Sequence, residues 1–327
     1  MSANPNPASR PWFYLSYVVL ILCVWSYFVL DKDVWALFFR QWQVMTTMVF
    51  GAFIAGSSPE GSASIAYPVF TLLLKISPDD ARNFAFAIQS IGMTAASIYI
   101  LNKKMKLEWH YIQYVTLFGL PGLLVGTWFL LPYIVPATAK LIFVSLWFGF
   151  GLVLWWQNRN KEAARLDSLP VLKTKDKMLL STFGFMGGLI SSLFGTGINI
   201  LSYCFIVSYY RISEKIATPS SVLIMTVETL FGFYLHAIVL NDFSARSFDM
   251  WLACIPLVIF FAPLGSYVIQ FLPRRRVAQF LSIVLMIQYI GAMLVLRPPM
   301  LMTAFSLALI TASVISFMWL SRQRNKA

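Results

Sequence analysis

The sequence predicts an all-α polytopic membrane protein of about 10–12 helical segments, built as two inverted-topology repeats with discontinuous helix pairs. Three observations predict it. Of 327 residues, 59% are hydrophobic and 12% charged, and the mean hydropathy is +0.72; a soluble domain carries about 25% charged residues. Most of the apolar residues fall into runs of about 20, enough to cross a hydrocarbon layer of about 30 Å. Two further apolar regions are interrupted in the middle by Gly- and Ser-rich segments that lie at a constant spacing from one another.

Taken in order, residues 1–10 are polar and Pro-rich and are expected to be disordered. Residues 11–30 form the first span. The run exceeds the 7–15 residues of a signal-peptide core and has no small-residue cleavage site after it, so it reads as a retained peripheral helix, with a loop to residue 40. Residues 41–74 are apolar but broken at Gly56 to Gly61, GSSPEG. Spans at about 84–101, 111–131 and 138–156 complete a first unit, 41–156. A polar stretch, 157–177, is a linker. The second unit, 178–296, repeats the plan: a region 178–210 broken at Phe194 to Gly197, FGTG, then spans at about 220–240, 250–271 and 277–296. Residues 297–327 hold a last span, 299–320, and a basic tail.

The formal charge of +12 suits a nucleic-acid partner only in a soluble chain. Here the placement of the basic residues explains it, because cytoplasmic loops are enriched in Lys and Arg. With the N-terminus inside, 18 of the 25 fall on inside segments: Arg10, Lys103, Lys104, Lys106, Arg159, Lys161, Arg165, Lys173, Lys175, Lys177, Arg211, Lys215, Arg274 to Arg276, Arg322, Arg324 and Lys326. Seven fall outside: Lys32, Arg40, Lys75, Arg82, Lys140, Arg246 and Arg297. The chain is therefore expected in the cytoplasmic (inner) membrane with both termini cytoplasmic. Trp12, Trp35, Trp42, Trp109, Trp128, Trp155, Trp156, Trp251 and Trp319 lie near span ends, as an aromatic belt requires. Cys23, Cys204 and Cys254 all sit in apolar runs and read as packing residues.

The two units resemble each other. At a fixed offset of 136, Gly51 falls on Gly187, Gly61 on Gly197, Tyr67 on Tyr203, Lys75-Ile76-Ser77 on Arg211-Ile212-Ser213 and Ala81 on Ala217. An odd number of spans separates the two interruptions, so the repeats are inverted. That architecture belongs to secondary transporters, whose sites lie near the midplane where broken helices meet. Freed backbone groups there cannot face lipid and must line a cavity or a ligand, and half-helix N-termini suit anions.

The segments GSSPEGSASIAYPVF with KISPDDARNFAFAIQS, and SSLFGTGINILSYCFI with RISEKIATPSSVLIMT, carry a resemblance to the sulfite exporter TauE/SafE family of membrane transporters over about residues 42–296. The resemblance implies transport of a small sulfur-containing or organic anion, such as sulfite or an organosulfonate like sulfoacetate. The sequence departs from the family pattern at both breaks: Ser57, Ser58, Pro59 and Glu60 precede Gly61 where a run of glycines is typical, and Thr196 separates Gly195 from Gly197.

Candidate substrate contacts are Ser57, Ser58, Gly61 and Ser62 at the first break, Gly195, Thr196, Gly197 and Asn199 at the second, and Gln89, Ser90 and Thr226 on the helices that follow, with Ser64, Thr94, Ser220 and Ser221 nearby. Helix capping and interhelical bonding are the competing roles for these side chains. Glu60 and Glu228 are the candidate proton-coupling groups. A carboxyl at membrane depth costs about 2.5–3.5 kcal/mol on insertion scales, and desolvation favours its neutral form, so it can take up and release a proton as access alternates. For Glu60 the alternative is a solvated break, and for Glu228 a protonated acid bonded to a neighbouring helix. Arg82 and Arg211 read more as interfacial anchors than as anion guides, His236 as a hydrogen-bonded packing residue, and His110 as an interfacial one.

No GxSxG, HExxH, CxxC, P-loop or dinucleotide motif occurs, and the two His residues are far apart, so the chain is expected to be neither an enzyme nor a metal or cofactor protein. Its partners are a small anionic substrate and the bilayer. An anion channel, or a carrier of a non-sulfur organic anion, is the alternative.

Overall fold

The computed structural model describes residues 12–30, 33–134, 136–157 and 166–323. The expected disordered N-terminus, much of the linker, and Arg10, Lys32, Arg159, Lys161, Arg165, Arg324 and Lys326 lie outside the described residues.

Twelve α-helices follow one another among the described residues: α1 (Trp12–Val29), α2 (Val34–Ser57), α3 (Ala63–Pro68), α4 (Pro78–Asn102), α5 (Trp109–Val125), α6 (Pro136–Gln157), α7 (Thr174–Phe194), α8 (Ile198–Ser208), α9 (Glu214–Tyr234), α10 (Ala245–Ile269), α11 (Arg274–Leu296) and α12 (Met300–Gln323). Wider π-helical turns prolong α3 (Val69–Leu73), α5 (Gly126–Leu130) and α9 (Leu235–Val239). Six of these segments are long and apolar enough to cross a membrane: α1, α4, α5 with its extension, α7, α9 with its extension, and α10. Two helices start earlier than the apolar runs suggest, because caps rather than hydropathy set their ends. The Asp33 carboxylate accepts the Ala36 N–H at 3.0 Å and starts α2 at Val34, inside the expected loop. Asp176 accepts the Lys173 N–H at 2.9 Å and starts α7 at Thr174, inside the expected linker.

The short helices sit where the interruptions are. With 11 residues, α8 extends about 16 Å, roughly half a hydrocarbon layer. The six residues of α3 and its five-residue extension, entered through Pro68, make up the same length. Each short helix ends the same way: Lys75 (φ 50°) and Arg211 (φ 57°) adopt the left-handed conformation, and the next N–H, of Ile76 or Ile212, turns back to Phe70 O (2.8 Å) or Ile206 O (3.4 Å). Both pairs obey the offset of 136, and so do the starts of α4 and α9, at residues 78 and 214, and of α5 and α10, at 109 and 245.

Packing follows from small residues. A methyl group added at Gly56 would fall on the Ala262 carbonyl, and one at Gly265 on the Phe53 carbonyl, so α2 and α10 run side by side in backbone contact. Gly122 against the Phe185 carbonyl, and Gly188 against that of Gly119, make the corresponding seam between α5 and α7. Between these layers α4 and α9 lie antiparallel. Ser97 and Thr226 share a hydrogen bond of 2.7 Å near one end, and Asn83 donates to Asp242 at 3.0–3.1 Å near the other. A second antiparallel pair is α6 with α11, where Phe148 stacks on Tyr289 at 4.5 Å and Gly151 abuts Leu285. On the outside, α12 joins α6 through Ser145 and Ser306 at 2.7 Å, and α1 leans on α4 and α10 through Tyr17 and Tyr14, which donate to Ile91 O and Ile259 O. Phe84, Phe86, Phe194 and Phe205 fill the centre, while Phe39, Phe129, Ile287 and Leu294 cover the periphery, the distribution expected of a chain surrounded by lipid.

Candidate functional site

Two non-helical segments, Ser58 to Ser62 and Gly195 to Gly197, meet in the middle of the protein beside α4 and α9. Each is shaped by its own residues first. In the first, the Ser58 hydroxyl accepts the Glu60 N–H at 3.2 Å, and Gly61 turns the chain at φ 72°. In the second, Gly195 (φ 75°) closes α7 by donating its N–H to Ser191 O at 2.8 Å, and the Ser191 hydroxyl accepts the first free N–H of α8, that of Ile198, at 2.9 Å. The Asn199 side-chain oxygen accepts the Gly197 N–H at 3.3 Å. Helix ends that would otherwise present bare donors are thus partly capped from within.

The two segments then bind each other. The Asn199 amide donates to Pro59 O and lies 3.2 Å from the Met225 sulfur. The Thr196 hydroxyl proton is shared between Glu60 O at 3.4 Å and the Asn199 side-chain oxygen at 3.2 Å. From α4, the Gln89 amide donates to Gly195 O at 3.1 Å and to Ala85 O at 3.0 Å. Gly61 lies within this ring: a Cβ there would stand 2.5 Å from Gln89 Oε1, 2.9 Å from the Met225 sulfur and 3.0 Å from Thr196 Oγ1. Gln89 and Met225 are themselves offset by 136 and flank Gly61 from α4 and α9. The buried Gln89 Oε1 and the Ser62 hydroxyl have no hydrogen-bond partner. Buried polar atoms in a native protein are ordinarily paired, so Ser62 is left with a donor for a ligand and Gln89 Oε1 with an acceptor.

Glu228 on α9 is fully buried, and neither of its carboxyl oxygens makes a hydrogen bond. The Ser191 hydroxyl and the Ile198 N–H are the polar groups that act on it; Ser191 Oγ accepts the Ile198 N–H, which leaves the hydroxyl proton of Ser191 to face the carboxyl. Glu60 is buried as well, and its backbone carbonyl serves the junction with Thr196.

Of the side chains singled out from the sequence, Ser58, Glu60, Gly61, Ser62, Gln89, Gly195, Thr196, Gly197 and Asn199 come together at this junction. The hydroxyls of Ser57, Ser90 and Thr226 are bonded elsewhere. The Ser57 hydroxyl returns to Ile54 O at 3.2 Å, that of Ser90 to Ala87 O at 2.8 Å, and Thr226 is bonded to Ser97. Ser220 accepts the Glu108 N–H at 2.9 Å, which ties α9 to the start of α5.

Sequence reasoning missed Met225 and Ser191. The first was legible as the position 136 beyond Gln89. It also read Arg82 as an interfacial anchor, and here the structure differs: Arg82 is 2% exposed. Its guanidinium bonds Asp79 at 2.8 Å, lies 3.8 Å from Asp242 and donates from Nε to Asn83 Oδ1 at 3.1 Å. Asp242, in the turn after α9, also pairs with His236 Nδ1 at 3.0 Å, and His236 stacks on Phe86. Burial works to raise the Asp242 pKa, but the His236 bond, the nearby charges of His236 and Arg82 and the Asn83 amide outweigh it and hold the carboxyl below its ordinary value. A cavity of about 590 Å³ opens here, lined by Tyr67, Asp79, Arg82, Leu193 and Asp242 among others. A second, of about 430 Å³, opens at the opposite ends of α4 and α9, lined by Lys103, Lys106, Asp167, Lys215 and Thr218 among others. The junction of the two segments lies between them.

A family model described as Sulfite exporter TauE/SafE matches residues 44–291. No curated protein and no solved structure matches the chain.

Proposed function

The chain belongs to the sulfite exporter TauE/SafE family of membrane transporters, and on that premise we propose that it is a secondary transporter that moves a small anion, sulfite or an organosulfonate such as sulfoacetate, across the cytoplasmic membrane by alternating access. The observation that carries the proposal is the junction itself: Asn199 bonded to Pro59, Thr196 to Glu60, and Gln89 to Gly195, with an uncommitted hydroxyl donor on Ser62 beside it. Backbone N–H and hydroxyl groups, rather than a fixed counter-ion, would then hold the anion, so that it is bound without being trapped.

On this reading residues 41–156 and 178–296 are the two units, related by an axis in the membrane plane, joined by the cytoplasmic linker 157–177 and flanked by α1 and α12. The recurrent offset of 136 supports it, as do the antiparallel courses of α4 with α9 and of α6 with α11, since each pair would be related by that axis. Inversion also gives the means of alternation: the cavities at the two ends of α4 and α9 would open in turn onto one junction. The charge distribution supports an orientation with both termini in the cytoplasm. Glu228 and Glu60, buried beside the junction, are the proton-coupling groups; a carboxyl that changes partner as access switches takes up a proton on one side and releases it on the other.

The test is a panel of sulfite, sulfoacetate, taurine and simple carboxylates, measured by thermal stabilisation of the purified protein and by flux into proteoliposomes. Stabilisation by a sulfur oxyanion, with saturable flux and counter-transport, is the expected result. If every sulfur oxyanion fails while another solute stabilises, the substrate class is wrong; electrical current far above carrier turnover would replace the transporter with a channel.

A further inference from the structure

The cavity at the start of α4 holds a combination that the opposite one lacks. Its guanidinium, on Arg82, is 3% exposed at the side chain, whereas the carboxylate bonded to it, on Asp79, is 73% exposed. The buried partner of this ion pair is therefore fixed, and the partner that faces water is free to leave. Across the cavity stands Tyr67, 2% exposed, with a phenolic hydroxyl that has no hydrogen-bond partner, close enough for the Arg82 charge to act on it. The remaining charged groups are Asp242, 3.8 Å from the guanidinium, and His236, which Asp242 engages. Asn83 accepts from Arg82 Nε, which leaves the face formed by the two terminal nitrogens turned toward Asp79 and Asp242.

A purely structural ion pair at the start of this helix is not what the fold demands. At the matching positions of α9, 136 residues on, Lys215 replaces Asp79 and Thr218 replaces Arg82, and that helix begins equally well without the pair. Tyr67 also connects the cavity to the junction. It belongs to the short helix that follows Gly61 and packs edge-on at 5.4 Å against Phe194, the last residue of α7 before Gly195. Together with Leu193 it forms part of the cavity wall nearest the second break.

We propose that Arg82 and Tyr67 form a second oxyanion subsite, in series with the junction, and that Asp79 occupies it as a tethered carboxylate until a substrate oxyanion displaces it. This deepens the reading of the chain as an anion transporter and rests on it. A sulfonate or sulfite has the geometry to take the place of the Asp79 carboxylate on Arg82, through charge-assisted bonds to the terminal guanidinium nitrogens, and the Tyr67 hydroxyl donates to a further oxygen. Displaced into water, Asp79 loses little, because a solvent-facing ion pair is weak. The subsite thus accepts an anion without leaving a buried charge uncompensated in either state.

The distinguishing feature is the sign of the Asp79 effect. Binding of sodium sulfite and sodium sulfoacetate to the full chain in lipid nanodiscs is measured by calorimetry at constant ionic strength. Removal of the competitor in Asp79→Asn is expected to tighten Kd about threefold to tenfold, since the apparent affinity rises with the fraction of vacant sites. Tyr67→Phe is expected to weaken it about fivefold or more, the loss of one bond to a charged group, and Arg82→Gln to weaken it further. Tyr67→Phe and Asp79→Asn keep the cavity wall, so the test stands even if Arg82→Gln fails to fold. A structural pair predicts the reverse for Asp79→Asn, no gain or a loss, and that result, or wild-type binding by Tyr67→Phe, overturns the subsite while the anion reading stands. Absence of binding by every oxyanion to the wild-type protein would overturn the anion reading and the subsite with it.

Discussion

Replacing Gly61 with Ala tests the junction at its narrowest point. Gly61 has φ 72°, a conformation that places an Ala residue under about 1–2 kcal/mol of strain. The new methyl would also stand 2.5 Å from Gln89 Oε1, 2.9 Å from the Met225 sulfur and 3.0 Å from Thr196 Oγ1. Met225 is flexible and can yield. Gln89 cannot yield freely, because its amide is bonded at once to Gly195 O and Ala85 O, and turning its oxygen away breaks a bond worth about 1 kcal/mol. The sum is a destabilisation of about 2–3 kcal/mol, roughly 3–4 °C in Tm for a chain of this size. The control is Gly291→Ala in α11, where an added Cβ meets nothing within 4 Å, and a helix interior gains up to about 1 kcal/mol from Ala. Both variants would be unfolded thermally in detergent and assayed for flux in proteoliposomes. A Gly61→Ala protein as stable and as active as Gly291→Ala would refute the placement of Gly61 in a closed ring of Gln89, Thr196 and Met225.

Three other outcomes follow from the same geometry. Gly56→Ala drives a methyl into the Ala262 backbone, which cannot move unless α2 and α10 separate, so it should lose folded protein or more than about 3 kcal/mol; Gly51→Ala, inside α2 with ordinary contacts at 3.5 Å, should lose nothing and gain up to about 1 kcal/mol in the same unfolding assay. Glu228→Gln preserves shape and removes a buried titratable group, so it should retain the far-ultraviolet circular dichroism of wild type and abolish the pH dependence of flux; an unchanged dependence excludes Glu228 from coupling. The Asp242 carboxyl is held below its ordinary value, so its contribution to stability is present above the unfolded value of about 3.9 and is lost as pH falls through the folded one. Wild type should therefore lose more stability than Asp242→Asn between about pH 5 and pH 2, by a modest amount because the group is 40% exposed; parallel curves would show that the pair with His236 and Arg82 contributes nothing.

Much of the fold was legible residue by residue. The apolar runs located the long helices, since a lipid-facing helix must be apolar over its whole length. The Gly- and Ser-rich interruptions located the non-helical segments, because Gly61 and Gly195 take backbone conformations that disfavour any other residue. Helix starts were less legible where an acidic cap rather than hydropathy set them, as at Asp33 and Asp176. Side-chain partners were the least legible. A Ser or Thr in an apolar helix always has a carbonyl one turn back, and from sequence nothing separates Ser90, which bonds only that way, from Thr226, which also bonds Ser97 on the neighbouring helix.

By itself the sequence determined the class of the protein, the positions of its two interruptions and the repetition at 136 residues, because hydropathy, glycine and spacing are properties of a local stretch of chain. Only the tertiary structure decided that Asn199 meets Pro59 across 140 residues, that Gln89 meets Gly195 across 106, and that Arg82 lies buried beside an unpaired Tyr67. Those meetings depend on how closely α2 approaches α10 and α5 approaches α7, and so on which glycines face which carbonyls. That relation between distant helix faces is a matter of packing, and it brings together polar groups that no local pattern pairs.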